Sequence, residues 1–191
     1  DPARAPEGLV NHPAIGVIET SSIAQGTLTG DAMVKTAEVE LLQACTISPG
    51  KYWILIAGEV APVRHAFERG LEVAADTVID SLFIPNLHPM VIPALGGVAA
   101  REDDDALGVI ETLTAAAAIV AADLAAKAAR VTVRDLRLAN GLGGKGVVFL
   151  SGDVSNVQAA VEAGCAEALR KGLLARSVVV QSGSSGVKTI G

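Results

Sequence analysis

The sequence predicts an α+β fold built as two tandem copies of one β-α-β-β-α-β unit, and two observations carry that prediction. The first is an internal repeat. AIGVIET at 14–20 returns as ALGVIET at 106–112 with a single substitution, and the same offset of 92 carries Asp31 onto Asp123, Lys35 onto Lys127 and Val39 onto Val131. Two extra residues in the second copy then move the offset to 94, on which Gly50-Lys51 matches Gly144-Lys145, Gly58 matches Gly152, Val63 matches Val157 and Gly70 matches Gly164. Self-similarity at a fixed long spacing marks a duplication, here of a unit of about 80 residues. The second observation is that strand-like and helix-like segments alternate in the same order in both copies.

Copy one is read as 13–97 and copy two as 105–181, with 1–12 and 182–191 as flexible tails. Between the copies, Asp103, Asp104 and Asp105 read as a solvated linker. In copy one, AIGVIET is short and rich in β-branched residues, hence a strand. TGDAMVKTA reads as a helix with Thr29 or Asp31 near its start. VELLQACTI is a second strand, TISPGK a turn, and KYWILIAG an apolar third strand. Val60, Val63, Phe67, Leu71 and Ala74 recur at helical spacing, and VIDSLFIPN is a strand ended by Pro85. Copy two follows with ALGVIET, an Ala-rich helix, VTVRDLRLA, GVVFLSG, a helix through Val157, Val161, Cys165 and Leu169, and RSVVVQ. This order is the split βαβ arrangement of ferredoxin-like domains.

Half of the 191 residues are apolar but only 3% are aromatic, so Ala, Val, Leu and Gly must build the core through close backbone packing. A net charge of −6 argues against a nucleic-acid footprint, which needs clustered Lys and Arg. Cys45 and Cys165 match no metal or redox spacing and fit a reducing compartment. DPARAPEGLVNHP has no apolar segment of a secretory signal, and LTAAAAIVAADLAAKAA is interrupted by Asp123 and Lys127, which disfavours a membrane span.

Few residues invite catalysis. Gly141, Gly143 and Gly146 satisfy G-x-G-x-x-G, but a dinucleotide site needs a helix after the loop and a strand follows here. Gly144-Lys145 is followed by Gly146 rather than Ser or Thr, so the P-loop pattern fails as well. His12, His65 and His88 form no catalytic set. Glu19 and Glu111 occupy equivalent places inside apolar strands and read as partly buried carboxylates bonded to nearby backbone at a subunit contact. Cys165 takes the place of Leu71 on an apolar helix face, as a small hydrophobe. Lys35 and Lys127 read as solvated helix charges with a shared surface role.

AIGVIET, GDAMVKTAEVEL, SPGKYWILIAGEVAPV and ALGVIET…AADLAAKAARVTV resemble bacterial microcompartment shell domains, and two in one chain resemble the tandem-domain shell proteins that form trimers. Within that family the pattern is nearest to the propanediol-utilization trimers. The resemblance implies a non-enzymatic structural protein of a microcompartment shell in the bacterial cytoplasm. It implies a homotrimeric, pseudohexameric plate that tiles with other shell proteins and passes small polar metabolites through an axial pore, with no nucleic-acid or membrane partner. Carried over by position, Ile47, Ser48, Pro49 and Gly50 line or support the pore from copy one, Asn140, Gly141, Leu142, Gly143 and Gly144 are the pore residues of the matching loop in copy two, and Lys35 and Lys127 are edge contacts. The propanediol trimers have a cysteine at the place of Ser48, which ligates an iron–sulfur cluster on the axis. Serine is a poor substitute for a thiolate, so the expectation is no cofactor and no metal, with an iron–sulfur electron relay as the alternative.

Overall fold

The structure is a computed structural model, and it describes residues 13–95 and 105–181. The expected tails, and Asp103 and Asp104 of the linker, lie outside the described residues; Asp105 is exposed. The chain forms two compact units. One extends to Pro89 and includes the loop Ala139–Gly144; the other comprises Met90–Leu138 and the chain from Lys145 onward.

In the first unit, β1 (Ala14–Thr20), β2 (Glu40–Ile47), β3 (Lys51–Gly58) and β4 (Val78–Ile84) form a sheet of order β2-β3-β1-β4 with every neighbouring pair antiparallel. Helices α1 (Ile23–Thr36) and α2 (Val60–Ala74) cover one face. Their shared core is Ile18, Met33, Ile54, Ile56, Val63, Ala66 and Ala74. Strand alternation sends Ile15, Val17 and Glu19 to the opposite face beside Trp53 and Leu55, and these are buried too.

Helix α1 begins well before the Thr29 or Asp31 expected from sequence. Ser22 caps it by accepting the Gln25 N–H at 3.2 Å, and Thr20 Oγ1 donates to the Ser22 carbonyl at 2.9 Å. Gly26 and Gly30 lower the helical propensity of this first half and hid it.

The second unit repeats the plan. The short helix α3 (Val91–Ala94) precedes β5 (Ala106–Thr112), α4 (Ala115–Ala128), β6 (Thr132–Leu138), β7 (Gly146–Gly152), α5 (Val154–Arg170) and β8 (Leu174–Gln181), with sheet order β6-β7-β5-β8. The joint before α4 reproduces the one before α1: Thr114 accepts the Ala117 N–H at 3.2 Å, and Thr112 Oγ1 donates to the Thr114 carbonyl at 2.8 Å. Register irregularities recur at equivalent places, Leu41/Gln43 and Val133/Asp135.

One contact has changed sides between the copies. In copy one a Cβ on Gly26 would lie 2.5 Å from Tyr52 Cβ. The equivalent pair in copy two is Ala118 and Gly146, and here the strand residue is the glycine: a Cβ on Gly146 would overlap Ala118 Cβ. Each helix–strand crossing has room for a side chain on one partner only. Gly146→Ala should therefore lower stability by about 2 kcal/mol or more through overpacking. Ala118→Gly in the same chain should recover part of that loss, because the two sites couple directly. Thermal unfolding of the two single variants and the double variant tests this; strictly additive shifts would count against it.

Candidate functional site

The chemistry-bearing residues gather where β2 turns into β3 and where β6 turns into β7. The first turn is Ile47, Ser48, Pro49 and Gly50. The Gly50 N–H donates to the Ile47 carbonyl at 3.0 Å, and Gly50 has φ +89°. Ile47 is buried and anchors the turn, Ser48 is half-buried, and Pro49 and Gly50 are exposed. Lys51 opens β3 immediately afterwards.

The second loop, Ala139–Gly144, is closed on itself. The N–H groups of Leu142 and Gly144 both donate to the Ala139 carbonyl, at 3.0 and 3.3 Å. Asn140, Gly141 and Gly143 are exposed, Leu142 is half-buried, and Ala139 and Gly144 are buried. The loop packs with copy one's unit, where Asn140 Oδ1 accepts the Ser48 N–H at 3.2 Å. The loop runs into β7 at its far end, so the glycine motif joins two strands, as the sequence indicated.

Beneath each loop sits an ion pair. Lys51 Nζ donates to Glu19 Oε1 at 2.6 Å, and Lys145 Nζ donates to Glu111 Oε1 at 2.7 Å. The expectation that these glutamates bond to backbone is corrected in both copies. Glu19 stands opposite Trp53 and Glu111 opposite Val147; Lys51 lies two residues before Trp53 on the same face of β3, and Lys145 stands two residues before Val147, at the entry to β7. The signal was present in the sequence, since Glu and Lys are both retained through the duplication. Burial separates the pairs. The Glu19 and Lys51 side chains are 0% and 16% exposed, against 33% and 45% for Glu111 and Lys145. Glu19 Oε2 is also buried without a hydrogen-bond partner among the described residues.

Lys35 and Lys127 are not isolated charges. Each pairs with an aspartate one turn earlier, Lys35 with Asp31 at 2.7 Å and Lys127 with Asp123 at 2.6 Å. Lys35 and Asp31 are exposed, whereas Asp123 is buried. His65 is exposed on α2, His88 is half-buried in its Pro-flanked loop, and His12 lies outside the described residues. Cys45 lies along β2 opposite Trp53, and burial pushes its thiol above the ordinary value. Cys165 is buried on α5.

The duplicated sheet-and-helix unit with a loop at the β2–β3 and β6–β7 turns has a match among known domains. A family model described as the BMC domain matches residues 14–87 and again 106–182. The chain belongs to the BMC-domain family. Its α+β architecture is that of a tandem microcompartment shell protein. The chain is 44% identical over 167 residues to the bacterial microcompartment shell protein PduT of Citrobacter freundii, covering 87% of this chain and 91% of that one. It superposes with a TM-score of 0.79 on the crystal structure of a microcompartments protein from Desulfitobacterium hafniense, at 43% identity and covering 90% of this chain and 95% of that one. The fused permuted hexameric shell protein MSM0275 of the RMM microcompartment shares the fold, with a TM-score of 0.62 at 24% identity over 82% of this chain and 81% of that one.

The two lysine–glutamate pairs of this BMC-domain chain should differ in worth. Lys51→Met strands a fully buried carboxylate and should cost about 3 kcal/mol or more. Lys145→Met removes a partner that water can replace and should cost about 1 kcal/mol or less. Thermal or denaturant unfolding of the two variants distinguishes them; equal losses would contradict the assignment.

Proposed function

We propose that this structural shell protein of a bacterial microcompartment, residing in the bacterial cytoplasm, assembles as homotrimeric, pseudohexameric plates whose axial opening passes small polar metabolites. The observation that carries the shell role is the pair of BMC domains in a chain 44% identical to a shell protein along nearly its whole length.

Self-assembly is supported by a difference between the copies. Ile23, Leu28 and Val34 on α1 and Leu41 on β2 are exposed apolar residues. Their copy-two equivalents, Ala115, Val120, Ala126 and Val133, are buried or half-buried. On the sheets the difference runs the other way: Ile15, Val17 and Glu19 are fully buried, while Leu107, Val109 and Glu111 are partly exposed. The exposed apolar residues of α1 and β2 are the surface we assign to a neighbouring chain, and a head-to-tail contact of unlike surfaces closes into a ring where the rotation between copies permits. Lys35 and Lys127 are assigned to contacts between plates.

The rim of the opening is assigned to Ile47, Ser48, Pro49 and Gly50. Ser48 offers a hydroxyl that both donates and accepts, so a hydrated polar solute can exchange hydrogen bonds with the rim. Large or apolar solutes are rejected by size and by the desolvation of that rim. An iron–sulfur cluster does not fit the donor set. Ser48 brings a hydroxyl to the turn, and Cys45 is a half-buried thiol along a strand, with burial favouring its protonated, non-ligating form.

Light scattering on the eluting protein should give a mass three times the chain's 19.3 kDa; a stable monomer at micromolar concentration would remove the plate from the proposal. Ser48→Phe should slow the flux of small polar metabolites into assembled shells several-fold with the trimer intact, and unchanged flux would move the opening elsewhere.

A further inference from the structure

We infer that the copy-two loop Ala139–Gly144 is a brace for the copy-one loop, with Asn140 the residue that positions Ser48. The inference deepens the pore reading, because it says what holds the proposed rim in place.

Loop length is the first argument. Strand partners Thr46↔Tyr52 and Leu138↔Gly146 are equivalent, so copy one spans its turn with residues 47–50 before Lys51, and copy two uses 139–144 before Lys145. Both extra residues of the second copy therefore fall in this loop. They were not needed to join the strands, since copy one does so without them.

The second argument is what the longer loop does with its reach. Its two internal hydrogen bonds to the Ala139 carbonyl make it a self-supported platform. From that platform Asn140 Oδ1 accepts the Ser48 backbone N–H. Gly144 lies flush against the same turn: a Cβ there would stand 2.9 Å from Pro49 Cδ and 3.0 Å from the Ser48 carbonyl oxygen, and 3.5 Å from Lys51 Nζ. Gly144 also has φ +89°, so glycine is required for both conformation and clearance. A hydrogen bond and a close backbone approach thus converge on Ser48 and Pro49, the two residues at the head of the turn.

The third argument concerns what the turn lacks by itself. Its internal closure runs from Gly50 to Ile47 and leaves the Ser48 N–H to an outside acceptor. Without one, the Ser48 peptide would open to water and the hydroxyl it carries would lose its fixed direction.

The test reads the Ser48 amide directly. In the intact chain, hydrogen exchange at this amide is followed by NMR, with β3 amides as the internal reference for folding. Asn140→Ala should accelerate Ser48 exchange roughly tenfold or more, while Asn140→Asp, which keeps the acceptor oxygen, should stay near the wild-type rate. Gly144→Ala, which wedges the loops apart, should also accelerate it. Unchanged exchange in Asn140→Ala overturns the inference, as does Asn140→Asp exchanging as fast as Asn140→Ala. A flux change in Asn140→Ala shells without a change at the Ser48 amide would mean that Asn140 lines the opening rather than bracing it. The amide measurement needs no shell and no pore, so its failure is separable from failure of the pore reading.

Discussion

Glu19 is a carboxylate at the next-to-last position of an apolar strand with no access to water, and the ammonium of Lys51 at 2.6 Å is what makes that position tolerable. A buried charge constrains its surroundings more tightly than a methyl group does. If β3 slipped by one residue against β1, Lys51 would leave the face that Glu19 occupies, and the charge would be stranded. The pair therefore fixes the register of the two central strands, and with it the point at which the Ser48 turn leaves the sheet. The apolar contacts of Ile18, Ile54 and Ile56 tolerate rearrangement more readily than this one bond does.

Much of the fold was legible because duplication prints each feature twice. The strand AIGVIET, the Val63 and Val157 helices and the order of elements all follow from periodicity plus the repeat. The early start of α1 was not legible, because Gly26 and Gly30 weaken the helical signal for a reason that only the fold displays: Gly26 is small so that Tyr52 can cross it. The cap itself was visible in hindsight, since Ser22 and Thr114 are equivalent hydroxyl residues that each follow a threonine by two positions.

The loops were found from sequence and their division of labour was not. Gly-rich composition shows where a backbone can turn, but it carries no address for what the turned backbone meets. Asn140 approaches Ser48 across a separation of 92 residues, and no periodicity encodes that. The glutamates were noticed as a repeated oddity, but their lysine partners lay on a neighbouring strand whose register had first to be known.

The exchanged glycine has a consequence for how such a chain can be recombined. Hybrids of the two copies are natural to consider, since AIGVIET and ALGVIET offer nearly identical junctions. A junction inside that strand leaves each helix with its own hairpin and keeps the match. A junction between the helix and the third strand does not. It sets Gly26 over Gly146, leaving a hole where a side chain belongs, or Ala118 over Tyr52, where two side chains claim one space. The halves look alike in outline, yet they are interchangeable only as whole domains.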